Sequence, residues 1–228
     1  LPRKRIDQQG NPGIILPATL VFGHQPHNNW GMSQIDPNTN DSDLSQSSLR
    51  DHFLLAMPGL EGSSFARSLT YVCEHSESGA MGLVLSHRMP LTLGDIFVQL
   101  EIDDLGHLGD QPVLSGGPVQ VERGFVLHRD ASRWQSTLPV SDDVSLTASR
   151  DILNALGAGK GPDSFIMALG YAGWEAGQLE QEIADNAWLT MPANPEILFN
   201  TPSDQRWSAA ARQLGIDLNL ISATAGHA

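Results

Sequence analysis

Cys73-Glu74-His75 is the one place in this chain where a thiol, a carboxylate and an imidazole follow one another. Residues two apart on a strand point to the same face, so Cys73 and His75 are expected side by side. A neighbouring imidazole lowers a thiol pKa, and such a pair would serve as a nucleophile or a redox sensor. These two are the catalytic candidates. The residue types favour a simpler alternative, in which Cys73 is a buried strand cysteine and His75 begins a hairpin turn.

A second group surrounds Gly170-Tyr171-Ala172-Gly173-Trp174-Glu175-Ala176-Gly177, with three glycines in eight residues. Glycine is costly to order unless the backbone needs positive φ or close approach. A strand, Phe165-Ile166-Met167-Ala168-Leu169, leads in and an amphipathic helix leads out, so a binding corner at the helix start is expected. Gly170, Tyr171, Gly173, Trp174, Gln178 and Glu182 are its binding candidates. Gly116 and Gly117 form a second turn able to aim N–H groups at an anion, although neither segment matches a Walker or dinucleotide pattern. The alternative for both is a tight turn required by packing. Arg123 is either an anion clamp or half of a structural ion pair. His128 completes the binding set. Glu74, His75, His128, Glu182 and His227 are metal-capable types, but none has diagnostic ligand spacing, so no metal and no cofactor is expected. No carboxylate pair is placed by spacing for acid/base work. The expectation is that Cys73, His75, Arg123, Tyr171 and Trp174 line one concavity open to water.

The elements that must position these groups are legible by period. His52-Phe53-Leu54-Leu55-Ala56-Met57, Leu69 to Glu74 and Ala80 to Ser86 read as strands, the last two as a hairpin. Further strands are expected at Pro112 to Ser115, Gly124 to His128 and Val144 to Thr147, with extended pieces at Trp188 to Met191 and Ile197 to Phe199. Leu93, Ile96, Phe97 and Leu100 recur at helical spacing behind a Thr92/Asp95 cap. Ser149 is expected to cap a second helix carrying Ile152, Leu153 and Leu156. A third follows Gly177. The fourth starts near Thr201-Pro202-Ser203, with Pro202 at its first position, and carries Trp207, Ala210, Ala211 and Leu214. The fold class is α+β: a single domain with a mixed, mostly antiparallel sheet and about four helices.

The chain has 228 residues and a formal net charge of -13. Such acidity gives no electrostatic reason to approach nucleic-acid phosphates or anionic lipid, so neither direct nucleic-acid binding nor membrane association is expected. One cysteine cannot form an internal disulfide, which points to a reducing, cytoplasmic setting. No apolar run reaches the ~18 residues of a membrane span. Arg3-Lys4-Arg5 followed by an apolar run imitates a secretory leader, but Pro17 interrupts the run. Residues 1–48 are expected to be a disordered or extraneous extension. Ser33 to Ser48 is polar and acidic, and Met32 is the expected native start. The domain proper is expected over residues 49–228.

Several segments together resemble the bacterial AlgH/YqgE family. They are Ala56-Met57-Pro58-Gly59-Leu60, Cys73-Glu74-His75, Gly79 to Leu85, Gly116 to Val119, Arg123 to His128, Ala168 to Trp174, Gly177 to Glu180, Asn186 to Leu189 and Ala225-Gly226-His227-Ala228. The resemblance covers residues 49–228 in order. It implies a compact α+β domain of the bacterial cytosol and a link to control of alginate production, under the label of transcriptional regulator. It implies no reaction. Two places depart from the pattern. Glu61-Gly62-Ser63-Ser64 stands where members carry Asp-Pro, and Ser86-His87-Arg88 stands where they carry Asn, a basic residue and proline.

Two functions stay open. One is a regulatory or binding protein acting through a protein or small-molecule partner, with any effect on transcription indirect. The other is a small-molecule enzyme with a cleft near Gly170 to Glu182, using Cys73 as nucleophile or redox thiol.

Overall fold

The structure, a computed structural model, describes residues 20–22, 48–129 and 134–216. Among them the strands are β1 (His52–Ala56), β2 (Leu69–Ser76), β3 (Gly79–Val84), β4 (Arg88–Thr92), β5 (Pro112–Ser115), β6 (Val119–His128), β7 (Thr137–Pro139), β8 (Ser145–Thr147), β9 (Phe165–Glu175) and β10 (Trp188–Pro192). The helices are α1 (Leu93–Leu100), α2 (Arg150–Gly157), α3 (Gln178–Ala184) and α4 (Ser203–Gln213). The strand order is β10-β1-β2-β3-β9-β6-β8-β7, with β4 paired to β5 and β5 to β9. All pairings are antiparallel except β5 with β9. The chain is a single α+β domain.

β9 joins two half-sheets. One of its edges pairs with β6. The other is shared: Met167 to Leu169 pair with β5 and Ala172 to Glu175 with β3. The inner faces of both halves close over one core of Phe53, Leu55, Tyr71, Leu83, Leu114, Phe125, Leu127 and Ala168, which Ala210 and Ala211 of α4 cap. The outer face of the β5/β6/β9 half packs under α1 and α2 through Val113, Val126 and Met167 against Ile96, Phe97 and Ile152. The outer face of the other half packs Leu54, Val72, Ala172 and Trp188 against Leu179 of α3. Burial on both sides explains why β3, and β1 after His52, are apolar throughout rather than alternating.

Thr92 caps α1 reciprocally, its hydroxyl accepting from Asp95 N while Asp95 Oδ2 accepts from Thr92 N at 2.9 Å. Several expectations need correction. β9 does not stop at Leu169; it runs through Gly170 and Gly173 to Glu175 because those glycines permit close strand crossing. Ile197 to Phe199 is not extended but lies in a π-helical turn over Glu196–Asn200. Pro202 sits in the capping position of α4 rather than inside it. Ser149 makes no cap bond; its hydroxyl donates to Asp151 and accepts from Ser136 N. Within the segment expected to lie outside the core, Leu20 is buried and Val21 bridges to Arg123. The expected start at Met32, the Ser33 to Ser47 stretch and His227 lie outside the described residues.

Candidate functional site

The candidate pair of Cys73 and His75 is divided by one extra residue. β2 pairs Val72 with Gly82 but Glu74 with Met81, so a bulge falls at Cys73. A bulge inserts a residue and shifts the alternation beyond it. Cys73 therefore faces the inner core with Tyr71 and Met81. His75 lies opposite Ala80, whose side chain belongs to the outer core beneath α3. The expectation that the two share a face is overturned. Cys73 is fully buried, and its thiol is 3.7 Å from Tyr71 O. Burial first, and the Glu74 charge second, push its pKa well above the ordinary thiol range. His75 is held at both nitrogens: Nδ1 accepts from Leu49 N at 2.9 Å, and Nε2 lies 2.8 Å from Glu180 Oε1 on α3. The Glu180 carboxyl is kept below its usual range, first by its own backbone N–H and then by His75.

The residues of the glycine-rich stretch do converge, but on one another. Glu182 Oε2 accepts from the indole N–H of Trp174 at 2.9 Å and of Trp188 at 2.7 Å. Glu182 Oε1 accepts from Gln178 Nε2 at 2.9 Å, and Gln178 Oε1 accepts from Glu175 N at 2.9 Å. Phe65 stacks on Trp174 and meets Trp188 edge-on, and the two indoles cross at 78°. Trp174 and Trp188 are 3% and 1% exposed, so the cluster is a packed knot holding α3 against β9 and β10. Sequence spacing points to Gln178 and Glu182 but not to Phe65, which arrives from a distant segment, nor to Trp188, which lies near in sequence but across the α3–β10 turn. α3 has seven residues, and Gly177 in its N-cap position supplies no side-chain cap.

The glycine turns are packing devices. A Cβ on Gly117 (φ +149°) would fall 2.2 Å from the Tyr171 carbonyl carbon, and one on Gly116 would fall 2.3 Å from Gly170 O. Gly116 N donates to Leu169 O and Gly116 O accepts from Val84 N, both at 2.8 Å, so this turn fills the gap where β9 changes partners. Gly170 (φ +74°) is the other side of the same crossing, and Gly173 passes beside the Tyr171 ring. Tyr171 is buried edge-to-face on Phe125. Arg123 lies over the Phe125 ring at 5.3 Å and reaches Gln120 Oε1 at 3.3 Å, with no carboxylate partner among the described residues. His128 is fully buried, with Nε2 2.9 Å from Thr147 Oγ1. Cys73, Arg123 and Tyr171 thus belong to the inner side and His75 and Trp174 to the outer. A shared open concavity is ruled out, because the sheet runs between the two sets.

An open concavity of about 220 Å³ lies elsewhere, lined by Asp51, Ser141, Asp142, Asp143, Ala193 and Leu198 among others. Asp51 is in the left-handed region at φ 60° and accepts the Tyr71 hydroxyl at 2.6 Å. Burial first, then that bond, pushes the Tyr71 phenol far above its usual range. The available signal was Ser141-Asp142-Asp143 between Val140 and Val144, a polar turn between core residues. Among the described residues no group of three or more His, Cys, Asp or Glu is arranged to hold a metal ion. Among them, too, no helix is long and apolar enough to cross a membrane.

A family model described as AlgH-like matches residues 53–219. A UPF0301 protein of Saccharophagus degradans is 61% identical over 181 residues, covering 79% of this chain and 89% of its own. Another from Thioalkalivibrio sulfidiphilus is 56% identical over 182 residues, covering 80% and 98%. The solution structure of the AlgH protein from Pseudomonas aeruginosa is 47% identical, covers 80% of this chain and 97% of its own, and superposes with a TM-score of 0.67.

Proposed function

The chain belongs to the AlgH-like family, and from that premise we propose that it acts by binding a protein or small-molecule partner in the bacterial cytosol, with any effect on transcription indirect. The observation that carries this reading is how the reactive side chains are used. Cys73 is sealed in the core, His75 is fixed at both ring nitrogens, and Glu182 is taken up by two indoles and an amide. A nucleophile needs an adjacent base and an approach for substrate, and Cys73 has neither. The net charge of -13 argues in the same direction against a duplex-DNA footprint.

Thiol titration tests the reading. Cys73 in the native protein stays unlabelled by an aromatic disulfide at neutral pH and reacts once denaturant is added. Rapid native labelling would restore the thiol-enzyme alternative near Gly170 to Glu182. In a bacterium lacking its own copy of the gene, the Cys73→Ala chain restores function as well as the wild type; loss of function with retained folding would refute a binding role independent of the thiol. In a gel-shift assay at physiological salt, submicromolar protein leaves duplex DNA unshifted. A salt-dependent shift would overturn the indirect route.

A further inference from the structure

β8 pairs with β6 only over Val126–His128. Ahead of that stretch the backbone of β6 is taken by Val21. The Val21 N–H donates to Glu122 O at 3.0 Å, and its carbonyl accepts from Gly124 N at 3.1 Å, a parallel bridge opposite Arg123. Neighbours on an extended segment alternate in direction, so Leu20 and Phe22 point one way and Val21 the other. Leu20 is buried in the core beneath α1 and α2, and Phe22 packs against the same cluster. The Phe22 ring lies on Gly124: the three atoms nearest to a Cβ added there all belong to that ring. The missing side chain of Gly124 is thus the floor of a recess for an aromatic ring.

The opposite face of the bridge is less well matched. Val21 sits beside Arg123, whose guanidinium lies over the Phe125 ring. Arg123 Nη1 reaches Gln120 Oε1, but its Nε is buried and has no hydrogen-bond partner among the described residues. A buried donor left unmade is costly, and the isopropyl group of Val21 offers it no acceptor. The segment therefore meets the backbone and two apolar recesses while leaving a third contact unfilled. It also lies ahead of the family region at residues 53–219, and the Thioalkalivibrio relative is matched over 98% of its own length by 182 residues. Leu20–Phe22 is thus an addition seated in a slot that belongs to the family domain.

We propose that this part of β6 is a strand-addition slot for an extended segment of a partner protein reading apolar, acidic, aromatic, and that Leu20–Phe22 holds the slot in its place. Strand addition draws affinity from main-chain hydrogen bonds and specificity from recesses for alternate side chains. The apolar residue takes the Leu20 position and the aromatic ring lies on Gly124. A carboxylate in place of the Val21 side chain gives Arg123 a charge-assisted partner. The chain's own segment does without that bond because it competes from within the same molecule. The proposal rests on the partner-binding reading above and gives that partner a shape. Its test reads the slot alone, whereas thiol titration judges the wider reading.

The probes are fluorescent peptides of residues 18–25, one with the parent sequence and others carrying Val21→Glu or Val21→Lys, titrated by anisotropy into full-length chains. Phe22→Ser in the chain loosens its own segment, and circular dichroism checks that it stays folded. This opened chain binds the Val21→Glu peptide about tenfold or more tighter than the parent, as one charge-assisted bond implies, and the Val21→Lys peptide more weakly than either. Adding Arg123→Gln abolishes the preference for the acidic peptide. Adding Gly124→Ala instead weakens both the parent and the acidic peptide by about tenfold, because the new methyl group meets the aromatic ring. The wild-type chain, which needs no variant to fold, supplies a second readout: the Val21→Glu peptide in millimolar excess shifts its Gly124 amide resonance and the Val21→Lys peptide does not. No binding to a folded opened chain together with an unmoved Gly124 resonance overturns the slot. So does a preference that survives Arg123→Gln, or binding indifferent to Gly124→Ala. A wild-type dimer that the parent peptide splits would mean that a second copy fills the slot, and overturns the assignment to a partner protein.

Discussion

Replacing Glu182 by alanine removes the acceptor for two indole N–H groups at once. Trp174 and Trp188 donate to the same oxygen at 2.9 and 2.7 Å, and both rings are almost wholly buried. Each buried donor left unsatisfied costs about 1–3 kcal/mol. Glu182 is itself half-buried, so entering water recovers part of this, and a net loss of about 2–4 kcal/mol is expected for Glu182→Ala. For a domain of this size that lowers the melting midpoint by about 4–16 °C. Glu182→Gln keeps the shape and one carbonyl oxygen able to receive both indoles, but as neutral bonds of roughly half the strength, so it costs about 1–2 kcal/mol. Urea unfolding followed by circular dichroism measures both. A double-mutant cycle of Glu182→Ala with Trp188→Phe isolates the pair and gives a coupling of about 1–2 kcal/mol. A Glu182→Ala midpoint within about 0.5 kcal/mol of wild type refutes the structural role of the knot. If that variant also lost partner binding, Glu182 would return to the list of ligand contacts.

Two further outcomes follow from positions described above. Gly117→Ala forces a Cβ into the Tyr171 backbone at φ +149° and destabilises by more than about 3 kcal/mol, whereas Gly177→Ala, at φ +74° with nothing within 4 Å, costs about 1 kcal/mol; expression yield and urea midpoints compare them. Burial raises the folded-state pKa of both Cys73 and Tyr71. Their contribution is therefore complete below the unfolded values of about 8.5 and 10 and is lost as pH rises beyond them; Cys73→Ala flattens the decline between about pH 8.5 and 10 in midpoints measured across that range.

Local pattern was enough for α1 and α2, where apolar side chains recur every three to four residues and each stripe meets a sheet face, and for the Ala210 and Ala211 part of α4; Leu214, expected in the same stripe, lies exposed just past the end of that helix. It was enough for the hairpin of β2 and β3 as well, since only two residues separate Ser76 from its partner Gly79. β4 was missed because Pro90 stands inside it and its partner β5 is remote. β9 was cut short because glycine reads as a stop locally, whereas here it lets two backbones cross. Gly82 inside β3 is a sign of a bulge or close packing, but nothing in the sequence places the extra residue at Cys73, where it decides that the thiol and the imidazole face apart. The tryptophan knot gathers Phe65, Trp174, Glu182 and Trp188, and only the last three are near in sequence. The same holds for Arg88 and Ser203, which lie 115 positions apart in sequence yet are joined by a hydrogen bond of 2.7 Å.

The strand that joins both half-sheets is also among the last to be synthesised. β3, β5 and β6 reach residue 128 without the neighbour that all three require, and β9 supplies it only from residue 165 onward. A ribosome-bound chain halted before that point would carry three strands with unpaired edges, each with an apolar stretch, which are prone to join other chains. Closure by such distant pairing is slow. The nascent protein therefore passes through a vulnerable interval during translation, in which chaperones have the most to shield.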